Sequence, residues 1–404
     1  MEISRNEEKI NEFLERGVEN IFPKREFVEA RLKEGKQLSM YVGIDPTGSS
    51  FHVGHSIFLR KMRQFQQLGH KVILLIGDFT GMIGDPTDKS ATRVRLTREQ
   101  VLENAKTYKE QASKILSFEG ENPVEIRYNS EWLGKMSFGD VVDLGSYFTV
   151  QQMLERDMFE KRMEEGKPIY MHEFFYPMMQ GYDSVAMDVD GELGGNDQTF
   201  NMLAGRTLMK AMKNKEKFVL TTKLLVDPTG KKMGKSEGNM IRFIDSSDEM
   251  FGKVMSWGDG MMVGGFELLT DVSMDEVVAI SKSLIREEAN PRDVKARLAR
   301  EIVSSFYGAE EAELASDRFD QLFKEHEVPE DVPEMRIASS LSIVDLLVES
   351  KLASSKSDAR RLIEGGGVKI NEQVVSEMEF MVEPTAEGVL IQKGKRHFVR
   401  VIPA

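Results

Sequence analysis

Two histidines three positions apart, His52 and His55, follow a short apolar segment and a turn-rich stretch, where a helix is expected to begin. They share one face of the first helical turn, whose backbone N–H groups lack helical partners. Phosphates bind at such places because the N–H donors and the helix dipole favour negative charge. Gly54 would let a base or ribose approach the backbone. Ordinary core or surface histidines are the alternative, and a metal site is less favoured because no third ligand is near.

A lysine-rich segment, Lys231-Lys-Met-Gly-Lys-Ser236, lies about 180 residues later in a polar, glycine-flanked stretch. Lys232 and Lys235 could clamp a triphosphate and neutralise charge that develops during phosphoryl or nucleotidyl transfer. The end of the segment matches a Walker A loop, but Thr229 stands where that motif requires glycine, which excludes it. An ordinary lysine-rich surface loop is the alternative.

Strand and helix patterns alternate in the part of the chain that must position these groups. Apolar segments at 38–44 and 71–76 predict strands, and helical spacing between them predicts a helix. This alternation predicts an α/β fold, a doubly wound parallel sheet with ligands beyond the carboxyl ends of its strands. The other expected elements are helices over 1–35 and 97–116, mainly helical structure over 130–190, a strand at 218–226 and helices over 246–325.

The end of the chain differs in charge from the rest. Two prolines in an acidic stretch mark a linker over 327–339. The tail over 340–404 carries a small basic patch that suits a polyanion. The patch consists of Lys351, Lys356, Arg360, Arg361 and Lys369. The expected domains are 1–245 with a helical insertion at about 130–190, then 246–326, the linker 327–339 and 340–404.

The composition excludes several kinds of chemistry. The chain has 404 residues, a net charge of −13 and no cysteine, so disulfides, thiolate metal sites and cysteine nucleophiles are excluded. The negative charge argues against a protein that coats nucleic acid generally. The N-terminus is charged and no apolar run is long enough to span a membrane, so we expect a cytoplasmic protein without a membrane partner.

Taken together, the two basic motifs resemble the nucleotide-binding signature of class I aminoacyl-tRNA synthetases. Further motifs resemble the bacterial-type tyrosyl-tRNA synthetases, and this resemblance covers residues 35–245 strongly. They are Tyr41-x-Gly-x-Asp-Pro-Thr, Thr80-Gly-Met-Ile-Gly-Asp-Pro, Tyr176-x-x-x-Gln180-x-x-Asp183 and Gly194-Gly-Asn-Asp-Gln198. The tail resembles the S4-type RNA-binding module of that family. The resemblance implies a Rossmann-like doubly wound parallel sheet, then a helical anticodon-side domain and a small α+β S4-like domain.

The resemblance also implies a two-step reaction. Tyrosine and ATP would give tyrosyl-adenylate and pyrophosphate, and the tyrosyl group would then pass to the 3′ end of tRNA(Tyr). ATP would be a substrate accompanied by Mg²⁺, with no permanent cofactor and no protein metal site. The expected partners are tRNA(Tyr), L-tyrosine, ATP and a second copy of the chain, with a dimer interface around 130–190.

Site residues follow from the same motifs. Tyr41 and Asp183 would bracket the phenol hydroxyl with support from Asn129, and Asp85, Tyr176 and Gln180 would hold the ammonium. Gln198 would orient the carboxylate. The ATP contacts would be Gly43, Asp45, His52, Gly54, His55, Asp197, Lys232, Lys235 and Ser236, and the groups that act during transfer would be Thr47, His52, His55, Lys232 and Lys235. The tRNA contacts would be Lys351, Lys356, Arg360, Arg361 and Lys369. From spacing alone, Tyr176, Gln180 and Asp183 could equally be a solvated stripe on a helix.

Three other functions are open at this stage. A non-catalytic RNA-binding protein on a synthetase scaffold would share the tail but would not need intact nucleotide motifs. Another nucleotidyltransferase with the same histidine motif would need neither a tyrosine pocket nor the tail. Tryptophanyl-tRNA synthetase, the nearest sibling, has no reason to pair Tyr41 with Asp183.

Overall fold

The computed structural model describes residues 2–85, 96–226, 240–324, 332–394 and 397–404. The chain divides into two compact units, Met1–Ala312 and Glu313–Ala404. Each unit has a hydrophobic core of its own. Among the described residues, no helix combines the length and the apolar character needed to cross a membrane.

The first unit is organised around one sheet. Its strands in the described residues are β1 (Val18–Phe22), β2 (Ser39–Ile44), β3 (Lys71–Ile76), β4 (Glu125–Tyr128), β5 (Gly191–Gly195) and β6 (Phe218–Thr222). They lie in the order β1-β6-β5-β2-β3-β4. Strands β2 to β6 are parallel, and β1 pairs antiparallel with β6. The chain winds outward from β2 in one direction and then from β5 in the other, so the switch point lies between β2 and β5.

Helices cover both ends and faces of this sheet, as the strand–helix alternation requires. Those of the first unit that the structure describes are α1 (Glu7–Glu15), α2 (Arg25–Lys33), α3 (Val53–Gln67), α4 (Thr80–Ile83), α5 (Arg98–Ala105), α6 (Tyr108–Ala112), α7 (Ser130–Leu133), α8 (Phe138–Gly145), α9 (Val150–Leu154), α10 (Asp157–Glu164), α11 (Met171–Met187), α12 (Thr199–Lys213), α13 (Ser247–Met255), α14 (Met262–Leu269), α15 (Met274–Ile285) and α16 (Pro291–Tyr307). The expected helical structure over 130–190 and after 246 is confirmed.

The α/β fold class is confirmed, with corrections at the periphery. The region 1–35 is not helical throughout, because β1 interrupts it and joins the edge of the sheet. The expected helix over 97–116 is two short helices, α5 and α6. Between them, the Thr107 hydroxyl donates to the carbonyl of Ser49 at 3.0 Å. Such side-chain bonds compete with a continuous helix.

Besides β1, two further strands of this sheet, β4 and β5, were not expected. Strand β5 reads Gly191-Glu-Leu-Gly-Gly, a composition that ordinarily argues against a strand. The ring of Phe218 on the neighbouring strand lies within 2.2 Å of where a side chain at Gly191 would begin. Glycine therefore lets an aromatic ring pack across two adjacent strands, and the burial of that ring compensates for the poor strand propensity.

The core of the first unit is built on the central strands. In β3 every residue from Val72 to Ile76 is buried, as expected for a parallel strand covered on both faces. Helix α3 packs its apolar face against this layer through Leu59, Met62 and Phe65. Because α3 begins at the switch point, this packing fixes where its first turn lies.

The second unit has the α+β composition expected of the tail. Helix α17 (Ala309–Lys324) begins before the division at residue 312. The later elements are β7 (Glu334–Ile337), β8 (Leu341–Ser342), α18 (Ile343–Glu349), α19 (Lys356–Glu364), β9 (Val368–Ile370), β10 (Gln373–Val374), β11 (Met381–Val382), β12 (Val389–Lys393) and β13 (His397–Pro403). Within the described part of this unit the strands form a sheet in the order β10-β9-β12-β13-β7 and a small β11-β8 pair.

Candidate active site

A cleft opens at the switch point of the sheet. The ends of β2 and β5 and the first turn of α3 enclose a volume of about 330 Å³. Six residues expected to contact substrates line it, namely Gly43, His52, Gly54, His55, Asp197 and Gln198. Asp45 and Thr47 lie in the loop between β2 and α3, where the Thr47 N–H donates to the Asp45 carbonyl at 2.8 Å. The structure thus brings together segments that are 150 residues apart in sequence.

The two histidines cap helix α3 reciprocally. Nδ1 of His52 accepts from the backbone N–H of Gly54 at 3.2 Å, and Nδ1 of His55 accepts from the backbone N–H of His52 at 3.1 Å. Because each Nδ1 is an acceptor, the proton of a neutral ring lies on Nε2. Both side chains therefore present N–H donors of the kind that phosphate oxygens accept.

Asp183 is a buried carboxyl held by two donors. The indole Nε1–H of Trp132 donates to its Oδ1 at 2.7 Å, and the amide Nδ2 of Asn129 donates to its Oδ2 at 3.3 Å. Burial raises the pKa of Asp183 well above its usual value, while the bonds from Trp132 and Asn129 act in the opposite direction. The two donors hold the carboxyl group in one orientation, as recognition of a substrate hydroxyl requires.

Tyr41 lies on β2 and is completely buried. Its hydroxyl lies 3.0 Å from Oγ of Ser184 and donates to the carbonyl of Gln180 at 3.3 Å. Burial and then the charges of Glu192 and Asp183 raise the pKa of Tyr41 well above its usual value. The phenol therefore keeps its proton at neutral pH and can donate it to a ligand.

Two of the three groups expected to hold the ammonium, Asp85 and Tyr176, have separate partners. The third, Gln180, donates to Glu192 at 2.9 Å. The amide Nε2 of Gln198 donates to Oδ2 of Asp85 at 2.6 Å, and Arg156 contacts the other oxygen of Asp85 at 3.3 Å. The hydroxyl of Tyr176 donates instead to Oδ2 of Asp45 at 2.8 Å. Asp85 and Gln198 are thus joined directly, whereas Tyr176 contacts a residue that the sequence assigned to the ATP side.

Sequence reasoning missed a buried group of side chains behind Tyr41. Lys217 forms an ion pair with Glu192, and its Nζ also donates to Oγ of Ser184 at 2.8 Å. Burial lowers the pKa of Lys217, and the charge of Glu192 opposes that shift. The sequence signal was present but weak, since each is a charged residue inside or beside an otherwise apolar or glycine-rich strand. Trp132, Thr80 and Arg156 were missed as well, because only the fold brings them to Asp183, Asp45 and Asp85.

Three of the expected site residues, Lys232, Lys235 and Ser236, lie outside the described residues. The basic patch of the tail lies in the second unit, on α19, on β9 and in the turn before α19. All of its residues are exposed except Lys369, which is half-buried. Lys356 pairs with Asp345 at 2.6 Å and Arg361 with Asp358 at 2.7 Å, so acidic neighbours partly offset its charge.

The arrangement suits transfer between a carboxylate and a nucleoside triphosphate. A phosphate chain can lie against the N-terminus of α3, which lines the cleft. Over the described parts of the chain, no three histidine, aspartate or glutamate side chains come together as metal ligands. The described side chains of the cleft thus provide oriented hydrogen-bond donors and acceptors.

Comparisons with protein families cover nearly the whole chain. The family described as "tRNA synthetases class I (W and Y)" matches residues 33–324. The "Tyrosine--tRNA ligase SYY-like C-terminal domain" matches residues 324–401. The first match includes the cleft and the second includes the basic patch.

Curated relatives match over almost their full length. A tyrosine–tRNA ligase of Thermotoga maritima is 45% identical over 389 residues, 96% of each chain. One of Moorella thermoacetica is 46% identical over 394 residues, 96% of this chain and 94% of its own. Among solved structures, the truncated mitochondrial tyrosyl-tRNA synthetase of Coccidioides posadasii superposes with a TM-score of 0.63 at 23% identity, over 77% of this chain and 91% of its own. The tyrosyl-tRNA synthetase of Archaeoglobus fulgidus superposes with a TM-score of 0.60 at 19% identity, over 76% of this chain and 99% of its own.

Proposed function

The chain belongs to the class I tRNA synthetases of the tryptophan and tyrosine family, and we propose from this premise that it is a tyrosine–tRNA ligase. It activates L-tyrosine with ATP and transfers the tyrosyl group to the 3′ end of tRNA(Tyr). The observation that carries this function is that Tyr41 and Asp183 are both buried polar groups, that burial and the charge of Asp183 raise the pKa of Tyr41, and that Tyr41 lies on the strand that leads into the cleft. The comparisons give no support to the alternative of a non-catalytic RNA-binding protein.

The first step needs positioning more than proton transfer. An oxygen of the tyrosine carboxylate attacks the α-phosphorus of ATP, the new C–O–P bond forms, and the bond to pyrophosphate breaks. The Nε2–H groups of His52 and His55, together with the N-terminus of α3, would stabilise the charge that develops on the phosphates. Lys232 and Lys235 would neutralise the leaving pyrophosphate, and Thr47 would contact the phosphates from the preceding loop.

Adenosine fits the open part of the cleft. Gly43 and Asp45 would form its floor, and Gly54 allows close approach at the start of α3. Asp197 lies on the short turn after β5, where it would accept from the ribose hydroxyls as acidic residues do in other nucleotide sites. Ser236 completes the proposed contacts with ATP.

Tyrosine recognition depends on polar groups that only this substrate can satisfy. Its hydroxyl can donate to Asp183 and accept from Tyr41, whereas phenylalanine would leave both buried groups without a partner. At the other end, Asp85 would attract the ammonium together with Tyr176 and Gln180, and Gln198 would orient the carboxylate. Asn129 supports Asp183 through its amide.

Mg²⁺ would enter the site together with ATP. Two carboxylates, Asp45 and Asp197, lie near the cleft, and the described residues include no group of three metal-ligating side chains. Mg²⁺ often binds through one or two carboxylates plus the substrate's phosphates, and the residues present fit that mode. Its contribution when bound is to reduce the negative charge on the phosphate chain.

The remaining partners are tRNA(Tyr) and a second copy of the chain. The basic patch Lys351, Lys356, Arg360, Arg361 and Lys369 would contact the tRNA backbone.

The helical insertion exposes large apolar side chains, with Phe138 83% and Val150 67% accessible. A homodimer would cover them, and sedimentation equilibrium at micromolar concentration tests this. Because charging consumes ATP and tRNA, we place the protein in the cytoplasm.

Amino-acid-dependent exchange of labelled pyrophosphate into ATP tests the function. The reaction is run with tyrosine, phenylalanine, tryptophan or no amino acid, always with Mg²⁺. We expect exchange with tyrosine alone. Exchange with tryptophan would keep the family and overturn the roles of Tyr41 and Asp183. Exchange without any amino acid would instead indicate another nucleotidyltransferase.

A further inference from the structure

The ion pair of Lys217 and Glu192 is the most deeply buried charge pair in the described parts of the first unit. Their side chains are 0% and 2% exposed. Glu192 lies on β5, and Lys217 directly precedes the adjacent parallel strand β6. Removing two charges from water is costly, and a well-packed apolar pair is often at least as stable. The stability of the fold therefore does not by itself account for this pair.

The ion pair is connected to Tyr41 through the hydroxyl of Ser184. An ammonium group only donates, so Lys217 Nζ, 2.8 Å from Oγ of Ser184, makes that oxygen an acceptor. The single hydroxyl hydrogen of Ser184 then points either to Tyr41 at 3.0 Å or to Glu192 at 3.5 Å. The shorter contact favours Tyr41.

The direction of these bonds decides what Tyr41 can do. When the oxygen of Tyr41 accepts from Ser184, its own hydrogen is available to donate. In the ligand-free site that hydrogen reaches the carbonyl of Gln180 at 3.3 Å, and the carboxylate of Glu192 is a second acceptor that adds to burial in raising the pKa of Tyr41. A substrate phenol oxygen beside Tyr41 would take this hydrogen, and the phenol's own hydrogen would go to Asp183. The donor chain thus runs from Lys217 through Ser184 and Tyr41 to the substrate and ends at Asp183.

The ion pair is also connected to the proposed ammonium end of the site, through the side chain of Gln180. Oε1 of Glu192 accepts from the amide Nε2 of Gln180 at 2.9 Å. This bond sets the orientation of that amide, so its oxygen is the end able to accept from a substrate ammonium. One buried carboxylate thereby orders a group at each end of the tyrosine site.

Helix α12 closes over the pair and excludes water from it. The chain has glycine at position 205, where a Cβ atom would lie 2.5 Å from Nζ of Lys217 and 2.8 Å from Oγ of Ser184. The close approach of this backbone leaves no room for solvent beside the ammonium. Hydrogen bonds in such a dry site are strong and keep their direction.

We propose that Lys217 and Glu192 are positioning residues for tyrosine recognition, which act through Ser184 to make Tyr41 a hydrogen-bond donor to the substrate phenol and through Gln180 to orient the amide at the ammonium end. This inference rests on the proposed function. It adds an explanation of what orients the hydroxyl of Tyr41. Neither charged residue touches the substrate, so the effect is on selectivity and tyrosine binding rather than on chemistry at the α-phosphate.

The most direct test removes the hydroxyl of Ser184, which connects Lys217 to Tyr41, and leaves the ion pair in place. In Ser184→Ala, Lys217 and Glu192 keep each other, but Tyr41 loses the donor that orders its hydroxyl. We expect the ratio of kcat/KM for tyrosine over phenylalanine in pyrophosphate exchange to fall roughly tenfold, the scale of one hydrogen bond. The tyrosine KM should rise, and the KM for ATP should not change. Ser247→Ala removes a buried hydroxyl of helix α13 that donates to Glu311 of helix α17 at 2.6 Å; it is the matched control and should keep the ratio.

A second variant tests the pair itself. Lys217→Met alone would leave a buried carboxylate uncompensated, so it is combined with Glu192→Gln to give a neutral pair of similar size. A folded double variant with the same loss of selectivity supports the inference. An unchanged ratio in both the double variant and Ser184→Ala overturns it and makes the pair purely structural. Absence of tyrosine-dependent exchange in the wild-type protein would overturn the proposed function and this inference together, so the two failures are distinguishable.

Discussion

At the scale of single residues, hydrogen bonds hold buried polar groups of the site in defined orientations. Asp183 shows this most clearly, because an indole and an amide each occupy one of its oxygens. A carboxyl group held in this way can accept one more hydrogen bond in a defined direction. Removing either donor should therefore weaken recognition without emptying the pocket.

Trp132→Phe tests this because it keeps an aromatic ring at the position and removes the N–H together with the pyrrole part of the indole. Hydrogen bonds to charged groups contribute about 1.5–3 kcal/mol, so we expect kcat/KM for tyrosine activation to fall by roughly 10- to 100-fold. Trp257→Phe is the matched control, since its buried Nε1 has no hydrogen-bond partner among the described residues. Equal activity of Trp132→Phe and the wild type would mean that the indole does not order Asp183.

The limits of sequence reasoning are plain at this scale. His52, His55 and the residues of the tyrosine motifs were found because their types and spacing form recognisable patterns. Lys217 and Glu192 have no such pattern, since they are 25 positions apart and meet only across two adjacent strands. A pairing that depends on strand order cannot be read before the order is known.

At the scale of elements, the N-terminus of helix α3 has both a structural and a proposed catalytic role. The same histidine that caps its N-terminus is expected to contact phosphate, so one side chain has two separable tasks. A cap contributes about 1 kcal/mol to stability, and it needs only an acceptor near the first turn. Phosphate contact needs the Nε2–H at the far side of the ring.

His52→Asn separates these tasks. The asparagine oxygen can replace Nδ1 as the cap, but nothing replaces the Nε2–H. We expect the midpoint of urea unfolding to stay close to that of the wild type and the single-turnover rate of adenylate formation to fall at least tenfold. His52→Ala should lose both stability and rate. A normal rate in His52→Asn would remove the ring from the list of phosphate contacts.

The elements that could be predicted were those with strong local signals. Strands β2 and β3 are apolar runs, and the helices after residue 246 have clear helical spacing. Strand β1 was missed because only its pairing with β6, about 200 residues later, makes it a strand. Strand β5 was missed because its glycines are explained by a ring on the neighbouring strand.

At the scale of the whole molecule, the charge is divided between an acidic first part and a local basic patch in the second unit. Each phosphate contact contributes to the salt dependence of nucleic-acid binding. Replacing Lys351 and Arg360 by glutamine should reduce the slope of log K for tRNA(Tyr) against log salt by roughly 1 to 2. Pyrophosphate exchange should be unaffected.

The control for the patch replaces two exposed lysines of the first unit that lie outside the helical region 246–326, Lys24→Gln with Lys36→Gln. It changes the net charge equally, so it separates a local contact from a general effect of charge. An equal reduction of the slope in both variants would show that the basic patch has no special part in binding tRNA.

The stability of the first unit should depend on pH through His70. Its ring is fully buried, its Nδ1 accepts from the backbone N–H of Leu38 at 3.2 Å, and burial lowers its pKa from 6.5 to about 4, although Asp190 opposes the shift. Between these values the unfolded chain binds a proton that the folded chain does not. The free energy of unfolding should therefore fall by roughly 3 kcal/mol as the pH is lowered from 6.5 to 4.

His70→Asn keeps an acceptor for Leu38 and removes the titration. Urea unfolding between pH 7.5 and 4 should show a constant difference from the wild type above pH 6.5. Below that pH the free energy of unfolding should fall more in the wild type than in the variant. A difference that stays constant down to pH 4 would show that His70 does not control this part of the curve.

The order of the strands also has a consequence for synthesis on the ribosome. Strand β1 is the first to emerge, yet its partner β6 follows about 200 residues later. At 5–20 residues per second, β1 waits for roughly 10 to 40 s before its edge can be covered. During that interval the nascent chain carries an open strand, and the final closure of the sheet comes only when the last parallel strand has left the exit tunnel.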